Sequence, residues 1–228
     1  MSNIILKQGD AYDLIKSIPD KSIDLIVTDP PYELCIPKKR KVHNQLDGHI
    51  QKLCDELSAS GLDQGINLSI LDEFMRVMKK PNIYIWCNKK QIIPYLLYFV
   101  NKHGCRFEIL TWIKSNPVPL CGSNYLIDKE YCLYFRKGIK LHTTYDTAKT
   151  YWITQTNKVD KTKYEHPTVK PLWITEILIS NSSTEGDIIL DCFMGSGTTA
   201  EAAKNLNRGF IGFELQQKYI ETAAKRIA

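Results

Sequence analysis

Hydrophobic and polar positions along the chain follow two periods, one typical of strands and one typical of helices. Short apolar runs bounded by turn residues are followed by stretches of helical periodicity, which predicts an α/β fold with a largely parallel sheet. The run IDLIVT at residues 23–28 predicts a buried strand. That strand must end at Asp29, because the two prolines that follow cannot continue a hydrogen-bonded ladder.

The middle of the chain predicts two helices and three strands. Ser69 can cap a helix that runs to about Lys80, with Asp72 at the capping-box position. Pro94 fits within the first turn of a second helix. The predicted ranges are 69–80 and 91–102 for the helices, and 82–87, 107–113 and 131–135 for the strands.

Periodicity is lost between residues 137 and 170, where seven lysines and three acidic residues are interleaved with aromatic residues. We expect this stretch to be an excursion from the sheet. Periodicity returns with a helix opened by Pro171, a strand at 188–191, a helix from Gly197, a strand at 210–213 and a helix at 219–227.

Length, charge and cysteine usage narrow the class of protein. The 228 residues suffice for one α/β domain, and the net charge of +5 permits a polyanionic partner. The sequence shows neither a long apolar stretch nor a secretory leader, so we expect a cytoplasmic protein. The seven cysteines form no Cys-x-x-Cys pair, and His43, His49 and Cys54 fit no zinc spacing, so we expect no metal.

The segment GSGTTA at residues 195–200 follows a predicted strand and opens a predicted helix, with Glu214 at the tip of the next strand. Glycines permit a tight turn and close approach of a nucleotide cofactor, while the acid can hold ribose hydroxyls. The alternative is a glycine-rich turn without a ligand. The pattern by itself does not separate NAD from S-adenosylmethionine.

The segment Asp29-Pro30-Pro31-Tyr32 supplies a carboxylate, a backbone carbonyl held in a fixed direction and an aromatic face. An exocyclic amino group needs acceptors that shift electron density onto nitrogen, and an extruded base needs a stacking partner. The alternative is a strand-ending turn with a surface tyrosine.

Three motifs, TDPPY at 28–32, HPTVKP at 166–171 and DCFMGSGTT at 191–199, make the chain resemble the beta group of S-adenosylmethionine-dependent DNA amino-methyltransferases. In that group the catalytic motif precedes the cofactor motif, a circularly permuted order that this chain shares. Cys192 stands where the family usually has proline. The resemblance implies a Rossmann-like methyltransferase sheet, mostly parallel with an antiparallel hairpin and with helices on both faces. It also implies one catalytic domain over 1–228, with a short target-recognition insertion around 137–165.

The resemblance also assigns roles to individual residues. The catalytic group comprises Asp29 and the Pro30 carbonyl as acceptors for the amino group, Pro31, and Tyr32 as stacking partner. Glu214 would bind the ribose of S-adenosylmethionine, and Asp10 with Ala11 would lie against its adenine. The remaining cofactor-binding residues are Asp29, His166, Thr168, Lys170, Asp191, Phe193, Gly195, Ser196, Gly197 and Thr198.

DNA is the partner that the resemblance implies. The run Lys38, Lys39, Arg40 and Lys41 can neutralise phosphates, although such a run is also typical of a solvated loop. Lys114 and Asn116 belong to a stretch that the resemblance places beside the DNA cleft. A homodimer and a cognate restriction nuclease remain open as further partners, in a bacterium or a phage-infected host.

The resulting hypothesis is methyl transfer to the N6 amino nitrogen of adenine in DNA, with S-adenosylhomocysteine as the second product and no metal. N4-methylation of cytosine is the alternative within the family, whose cytosine enzymes more often carry serine at the position of Asp29. Three other classes stand as rivals: a nicotinamide-dependent oxidoreductase, a non-catalytic DNA-binding protein, and an amino-methyltransferase acting on RNA or glutamine.

Overall fold

The computed structural model describes residues 3–33, 65–117 and 125–228. Eight strands form one sheet in the order β1-β8-β7-β2-β3-β5-β4-β6. Of these strands, β5 runs opposite to the other seven, since it pairs antiparallel with both neighbours. The strands are β1 (Ile4–Gln8), β2 (Leu25–Thr28), β3 (Asn82–Cys87), β4 (Arg106–Lys114), β5 (Lys129–Arg136), β6 (Tyr151–Thr154), β7 (Ile188–Asp191) and β8 (Gly209–Glu214).

Helices pack on both faces of the sheet. In β2, Leu25 and Val27 contact the apolar layer beneath α5, α6 and α7, whereas Ile26 contacts the layer beneath α1, α2 and α3. Successive side chains of a strand point to opposite faces, so this central strand is apolar throughout. The described helices are α1 (Ala11–Leu14), α2 (Ile70–Val77), α3 (Ile92–Leu96), α4 (Lys158–Lys163), α5 (Leu172–Ser182), α6 (Thr198–Asn205) and α7 (Gln217–Ile227).

The predicted fold class is confirmed, including the antiparallel hairpin of β4 and β5. The excursion expected at 137–170 is wrong in one respect. Residues 151–154 return to the sheet as β6, which pairs parallel with β4 through contacts such as Trp112 opposite Trp152. The four residues of β6 lie within polar sequence that does not predict a strand, so their extended conformation is stabilised by pairing with β4.

The capping box predicted for α2 is also wrong. Ser69 has helical backbone angles and makes no capping hydrogen bond with its side chain. Asp72 instead accepts hydrogen bonds from the Tyr98 hydroxyl at 2.6 Å and from the Lys102 ammonium at 2.8 Å. A tertiary contact with the π-helical segment Leu97–Lys102, which follows α3, therefore uses the carboxylate that the local pattern predicts as a cap.

Within the described residues, no helix is long and apolar enough to cross a membrane.

Candidate active site

A cavity of about 380 Å³ opens where the carboxyl ends of four neighbouring strands meet. Each strand delivers a carboxylate to its wall: Asp10 after β1, Glu214 on β8, Asp191 on β7 and Asp29 after β2. Ligands of open α/β sheets bind outside the carboxyl ends of the strands. The topology therefore brings the two predicted motifs, far apart in sequence, to one site.

The glycine turn after β7 forms a close-packed wall of this cavity. Gly195 has a φ of +53°, and a Cβ there would lie 2.9 Å from Nε2 of His166. Its N–H donates to the Glu214 carboxylate at 3.0 Å. Gly197 has a φ of +83° and precedes α6, but it lies behind the cavity, where a Cβ would meet Ala223 at 2.7 Å. Gly197 therefore packs closely against α7, and its contact with the cofactor stays a prediction.

Glu214 holds the backbone of this turn with both carboxylate oxygens. One accepts the Gly195 N–H and the other accepts the Gln216 N–H at 2.8 Å. Burial raises the pKa of Glu214, an effect that these backbone hydrogen bonds oppose. Each oxygen retains a further lone pair, so the carboxylate can still accept hydroxyl groups of a ligand.

Asp191 is buried beside the turn, and both of its carboxylate oxygens accept hydrogen bonds. Its Oδ1 accepts the Thr28 hydroxyl at 2.9 Å and the Phe193 N–H at 3.1 Å, and its Oδ2 accepts the Thr199 hydroxyl at 2.7 Å. Burial raises the pKa of Asp191 to about 6 despite these donors. The carboxylate thus titrates close to neutral pH.

The opposite rim of the cavity comes from β1 and α1. Asp10 caps α1 by accepting the Tyr12 N–H at 2.7 Å, and Ala11 is buried in the wall. The hydroxyl of Tyr12 in turn accepts the Asn67 N–H at 2.8 Å. Phe193 lies partly buried against the same apolar layer. The structure therefore places Asp10, Ala11 and Phe193 around one cavity.

His166 and Thr168 line the cavity from the segment before α5. The His166 ring packs on Tyr219 with 4.4 Å between centroids, and its Nδ1 accepts the Thr168 N–H at 3.2 Å. Burial, followed by the charge of Lys170, lowers the pKa of His166 to about 4. The imidazole is neutral at physiological pH.

A buried arginine that the sequence motifs do not mark supports the glycine turn. Arg226 of α7 pairs with Glu201 and donates to the Thr198 hydroxyl at 2.9 Å, while its guanidinium lies 4.0 Å from the ring centroid of Tyr164. The same guanidinium is 3.5 Å from the Ser196 hydroxyl. Nothing local in α7 distinguishes this arginine, because its partners come from other elements.

The other half of the cavity is built around Asp29. Its Oδ2 accepts a hydrogen bond from the Lys170 ammonium, whereas its buried Oδ1 has no partner among the described residues. Burial raises the pKa of Asp29 above the usual carboxyl range, and Lys170 opposes that rise. An unpaired buried acceptor is costly and needs an explanation.

Lys170 belongs to an ion cluster that the sequence did not reveal. Its ammonium also lies 3.1 Å from Oε2 of Glu130, whose Oε1 accepts from Lys114. Burial by itself would raise the pKa of Glu130, but the two ammonium groups hold it at about 2. The contact with Asp29 makes the pKa of Lys170 higher than usual despite its burial.

Tyr32 stands over this cluster. Its hydroxyl donates to Oε2 of Glu130 at 3.4 Å, and the Lys170 ammonium lies 5.6 Å from its ring centroid and 5.1 Å from that of Trp86. Gln91 donates to the Pro31 carbonyl at 3.1 Å, which fixes the Pro-Pro turn, and Pro30 is buried. The predicted catalytic residues are therefore held together at one end of the cavity.

The predicted DNA contacts have different outcomes. Lys38, Lys39, Arg40 and Lys41 lie outside the described residues. Lys114 is partly buried and its ammonium is paired with Glu130, and its contact with DNA stays a prediction. Asn116 is exposed and its side chain accepts the Thr156 N–H at 2.7 Å. That bond joins the end of β4 to the segment after β6.

Neither a metal cluster nor a reactive thiol stands out in the described residues. No group of three or more His, Cys, Asp and Glu residues there could hold a metal ion. The described cysteines, Cys87, Cys105, Cys132 and Cys192, are reduced and buried. Burial raises the pKa of the Cys192 thiol, so the residue in the family's proline position packs as a small apolar side chain.

Comparisons with known proteins agree with this architecture. A family model described as DNA methylase, of the N6/N4 methyltransferase type, matches residues 23–225. The chain is 32% identical to the Type II methyltransferase M2.LlaDCHI of Lactococcus lactis subsp. cremoris, over 99% of this chain and 89% of that relative.

Solved structures show the same fold. The crystal structure of the M1.HpyAVI–SAM complex superposes with a TM-score of 0.66 at 26% identity, covering 99% of this chain and 100% of that one. The PvuII DNA methyltransferase, described as cytosine-N4-specific, has a TM-score of 0.73 at 20% identity, covering 100% of this chain and 87% of that one. At that identity the likeness shows the fold.

The family match spans most of the chain, and it includes both the Asp-Pro-Pro-Tyr turn and the glycine turn that meet in the cavity. The chain therefore belongs to the N6/N4 DNA methylase family, in its beta group, and is an S-adenosylmethionine-dependent DNA methyltransferase.

Proposed function

We propose that this enzyme methylates the N6 amino nitrogen of adenine in DNA. The observation that carries the proposal is the buried Oδ1 of Asp29, an acceptor without a donor among the described residues, in the wall of the cavity. An adenine amino group brings two N–H donors. Asp29 accepts one of them and the Pro30 carbonyl accepts the other, so that the nitrogen lone pair faces the methyl group.

The other half of the cavity fits S-adenosylmethionine. A Cβ on Gly195 would close the space beside His166, and the carboxylates of Asp191 and Glu214 suit an ammonium and ribose hydroxyls. In our proposal Asp191, Phe193, Gly195, Ser196 and Thr198 hold the methionine part, and Asp10 with Ala11 holds the adenine. In the same proposal Lys170, which lines the cavity, borders the cofactor together with His166 and Thr168. Gly197 supports the glycine turn from behind.

When bound, the cofactor supplies a methyl group on a sulfonium, which is already a good leaving group. The residues of this chain therefore contribute position and charge alignment. Tyr32 stacks on the extruded base in this proposal, because it lines the same cavity as Asp29. The amino proton released after transfer passes to Asp29 or to solvent.

Adenine is favoured over cytosine by the residue type at position 29. Cytosine enzymes of the family more often carry serine there, whereas this chain has a carboxylate. An extruded cytosine also offers an amino group to the same acceptors. The identity of the methylated nucleoside is therefore the decisive measurement.

The test is to incubate the full chain with S-adenosylmethionine and unmethylated DNA of mixed sequence, digest the DNA and identify nucleosides by mass spectrometry. We expect N6-methyladenosine in its deoxy form. N4-methyldeoxycytidine would overturn the adenine assignment. Asp29→Asn is the matched control, since it keeps the shape of the side chain and removes its charge.

The wider context is part of the proposal. The relative from Lactococcus is named a Type II methyltransferase, which supports a restriction–modification setting with a cognate nuclease, in the bacterial cytoplasm. We also propose that residues 137–165 form a short target-recognition insertion within one catalytic domain over 1–228. Methylation-sensitive sequencing of DNA from a host expressing the chain identifies the sites, and light scattering identifies a homodimer.

A further inference from the structure

Glu130 is a buried acid in the active site to which neither the motifs nor cofactor binding gives a role. It receives three donors: Lys114 on Oε1, with Lys170 at 3.1 Å and the Tyr32 hydroxyl at 3.4 Å on Oε2. It lines the same cavity as Asp29. Glu130 therefore contacts both Tyr32 and Lys170, the partner of Asp29, so its charge can affect the residues assigned to methyl transfer.

The reversed strand explains how Glu130 reaches this edge of the sheet. β5 runs antiparallel to β3 and β4, so its beginning lies beside their carboxyl ends. Glu130 is the second residue of β5 and pairs with Trp112, two residues before Lys114 at the end of β4. The hairpin of β4 and β5 thereby brings the acidic residue Glu130 and the basic residue Lys114 to a site that is otherwise built from the ends of parallel strands.

We propose that Glu130 is a positioning residue for methyl transfer: it fixes the Lys170 ammonium on one oxygen of Asp29 and so keeps the other oxygen available to the amino group of the base. This rests on the proposed role of Asp29 as the acceptor for the amino group.

The donors of Lys170 are divided between two acids. A lysine ammonium has three N–H donors and moves on a flexible stem. If Asp29 were its only partner, the Lys170 ammonium could bridge both oxygens of that carboxylate. Glu130 engages the same ammonium, and Oδ1 of Asp29 has no donor among the described residues. Lys114 pairs with the other oxygen of Glu130, so the Glu130 carboxylate is itself held in position.

Charge balance in the cluster points the same way. Two carboxylates and two ammonium groups make the cluster neutral, which limits the cost of burying it. Glu130 also divides the attraction of Lys170 between two acids. The Glu130 charge raises the pKa of Asp29, while the Lys170 charge lowers it. Glu130 therefore keeps Asp29 a stronger acceptor than a simple Asp–Lys pair would allow.

Other ionisable groups surround Asp29, and contact with the Tyr32 hydroxyl also lowers the pKa of this carboxyl. They are Tyr32 in the same turn, Cys87 on β3, Tyr95 in α3, Cys132 on β5 and Asp191 on β7, with Lys161 and His166 near the ion cluster. Burial raises the pKa of the Cys87 thiol to about 12, so it remains neutral. Asp191, with a pKa of about 6, lies in the half that holds the cofactor. Saturating cofactor therefore limits its influence.

The experiment measures the single-turnover rate of methyl transfer to DNA against pH for Glu130→Gln and Lys170→Met. Cofactor is kept saturating, and all methylated bases are scored. We expect Glu130→Gln to lower the rate at least about tenfold and to move the acid limb to lower pH. Lys170→Met should move that limb to higher pH. Glu108→Gln on β4 is the matched control, because that acid is exposed and far from the cavity.

Opposite displacements of the two limbs support the proposal. An unshifted limb in Glu130→Gln, or a rate within twofold of the parent enzyme, overturns it. If Glu130→Gln fails to fold, Lys114→Met decides instead: it leaves Glu130 wholly to Lys170 and should move the limb to higher pH, and no movement overturns the proposal. If Asp29→Asn remains active, Asp29 is not the acceptor for the amino group and the proposed function fails. Failure of the proposed function is therefore distinguishable from failure of the role assigned to Glu130.

Discussion

The two halves of the cavity bind by different physical means. On the glycine side, the Asp191 and Glu214 carboxylates are satisfied by hydroxyl and backbone N–H donors, and the turn is closely packed against His166. On the Asp29 side, four charged side chains are paired with one another, and one carboxylate oxygen has no partner among the described residues.

The difference corresponds to the two tasks of the enzyme. A cofactor of fixed shape is suited to a preformed wall with few ways to relax. A base that enters from DNA requires an acceptor that is ionised, held in place and unoccupied. Substitutions in the two halves should therefore be separable, because one set affects cofactor affinity and the other affects transfer.

The largest effect is expected from Asp29→Asn. Loss of this acceptor should cost roughly 3 kcal/mol of transition-state stabilisation, by analogy with removal of an oxyanion donor, or more than about a hundredfold in rate. The affinity for S-adenosylmethionine should change little, because the carboxylate belongs to the other half. Single-turnover kinetics and calorimetry measure the two quantities. Asp146→Asn, an exposed acid paired with Lys149, is the control.

Gly195→Ala should produce the reverse separation. A positive φ costs a residue with a Cβ roughly 1–2 kcal/mol, and here the Cβ would also press on His166 at 2.9 Å. Cofactor affinity should fall about tenfold or more. Gly186→Ala is a matched control, since its φ is +86° but nothing lies within 4 Å of the new Cβ. Calorimetry that finds equal cofactor affinities in the two variants would refute this assignment.

Cofactor affinity should depend on the ionisation of Asp191. With a pKa of about 6, the carboxylate is mostly protonated at pH 5, so affinity should rise about tenfold between pH 5 and pH 7. His166 stays neutral over this range, since its pKa is about 4. Asp191→Asn should remove the contribution of this group. A titration whose pH dependence is unchanged in the variant argues against the role.

The same raised pKa has a consequence for stability without cofactor. The folded state favours protonated Asp191, so its contribution to the free energy of unfolding is fully present below the unfolded pKa and is lost as pH rises through about 6. Asp191→Asn should therefore melt at a higher temperature than the parent enzyme at pH 8. The two melting curves should approach each other at pH 4.

The smallest effects per residue are expected outside both halves. Replacement of Lys38, Lys39, Arg40 and Lys41 by alanine should weaken DNA binding without changing the preferred sites. The salt-dependence slope should fall by about 0.9 for each phosphate that the variant no longer neutralises. Changes within 137–170 should alter which sites are methylated. An unchanged salt slope together with a redistributed site profile would show that the two segments have been assigned in reverse.

The sequence predicted the sheet-forming runs well wherever burial was strong. The strands at 82–87 and 188–191 coincide with β3 and β7, because continuous apolar runs between turn residues have few alternatives. β6 was missed, since its four residues are stabilised by pairing with β4. Local patterns report tertiary pairing poorly.

The candidate site shows the same limit. Asp29 and Glu214 could be predicted because they end strands within motifs, and the structure brings both to one cavity. The sequence did not mark Glu130 or Arg226, because their partners are distant in sequence. Glu130 pairs with Lys114 on β4 and with Lys170 before α5. Arg226 pairs with Glu201 on α6 and packs on the Tyr164 ring. Lys114 was assigned to DNA because the resemblance places its stretch beside the DNA cleft, and the sequence does not reveal that its ammonium pairs with the buried Glu130.

The position of β1 affects the stage of translation at which the enzyme can first bind its cofactor. β1 lies at one edge of the sheet and pairs with β8, so that Ile4 faces Phe210. β1 thus cannot pair until residues 209–214 have been synthesised, and pairing between segments so distant in sequence is slow. Asp10 and Ala11 follow β1, so the cofactor cavity is completed among the last events of folding. A nascent chain should acquire the ability to bind S-adenosylmethionine only after residues 209–214 have left the ribosome.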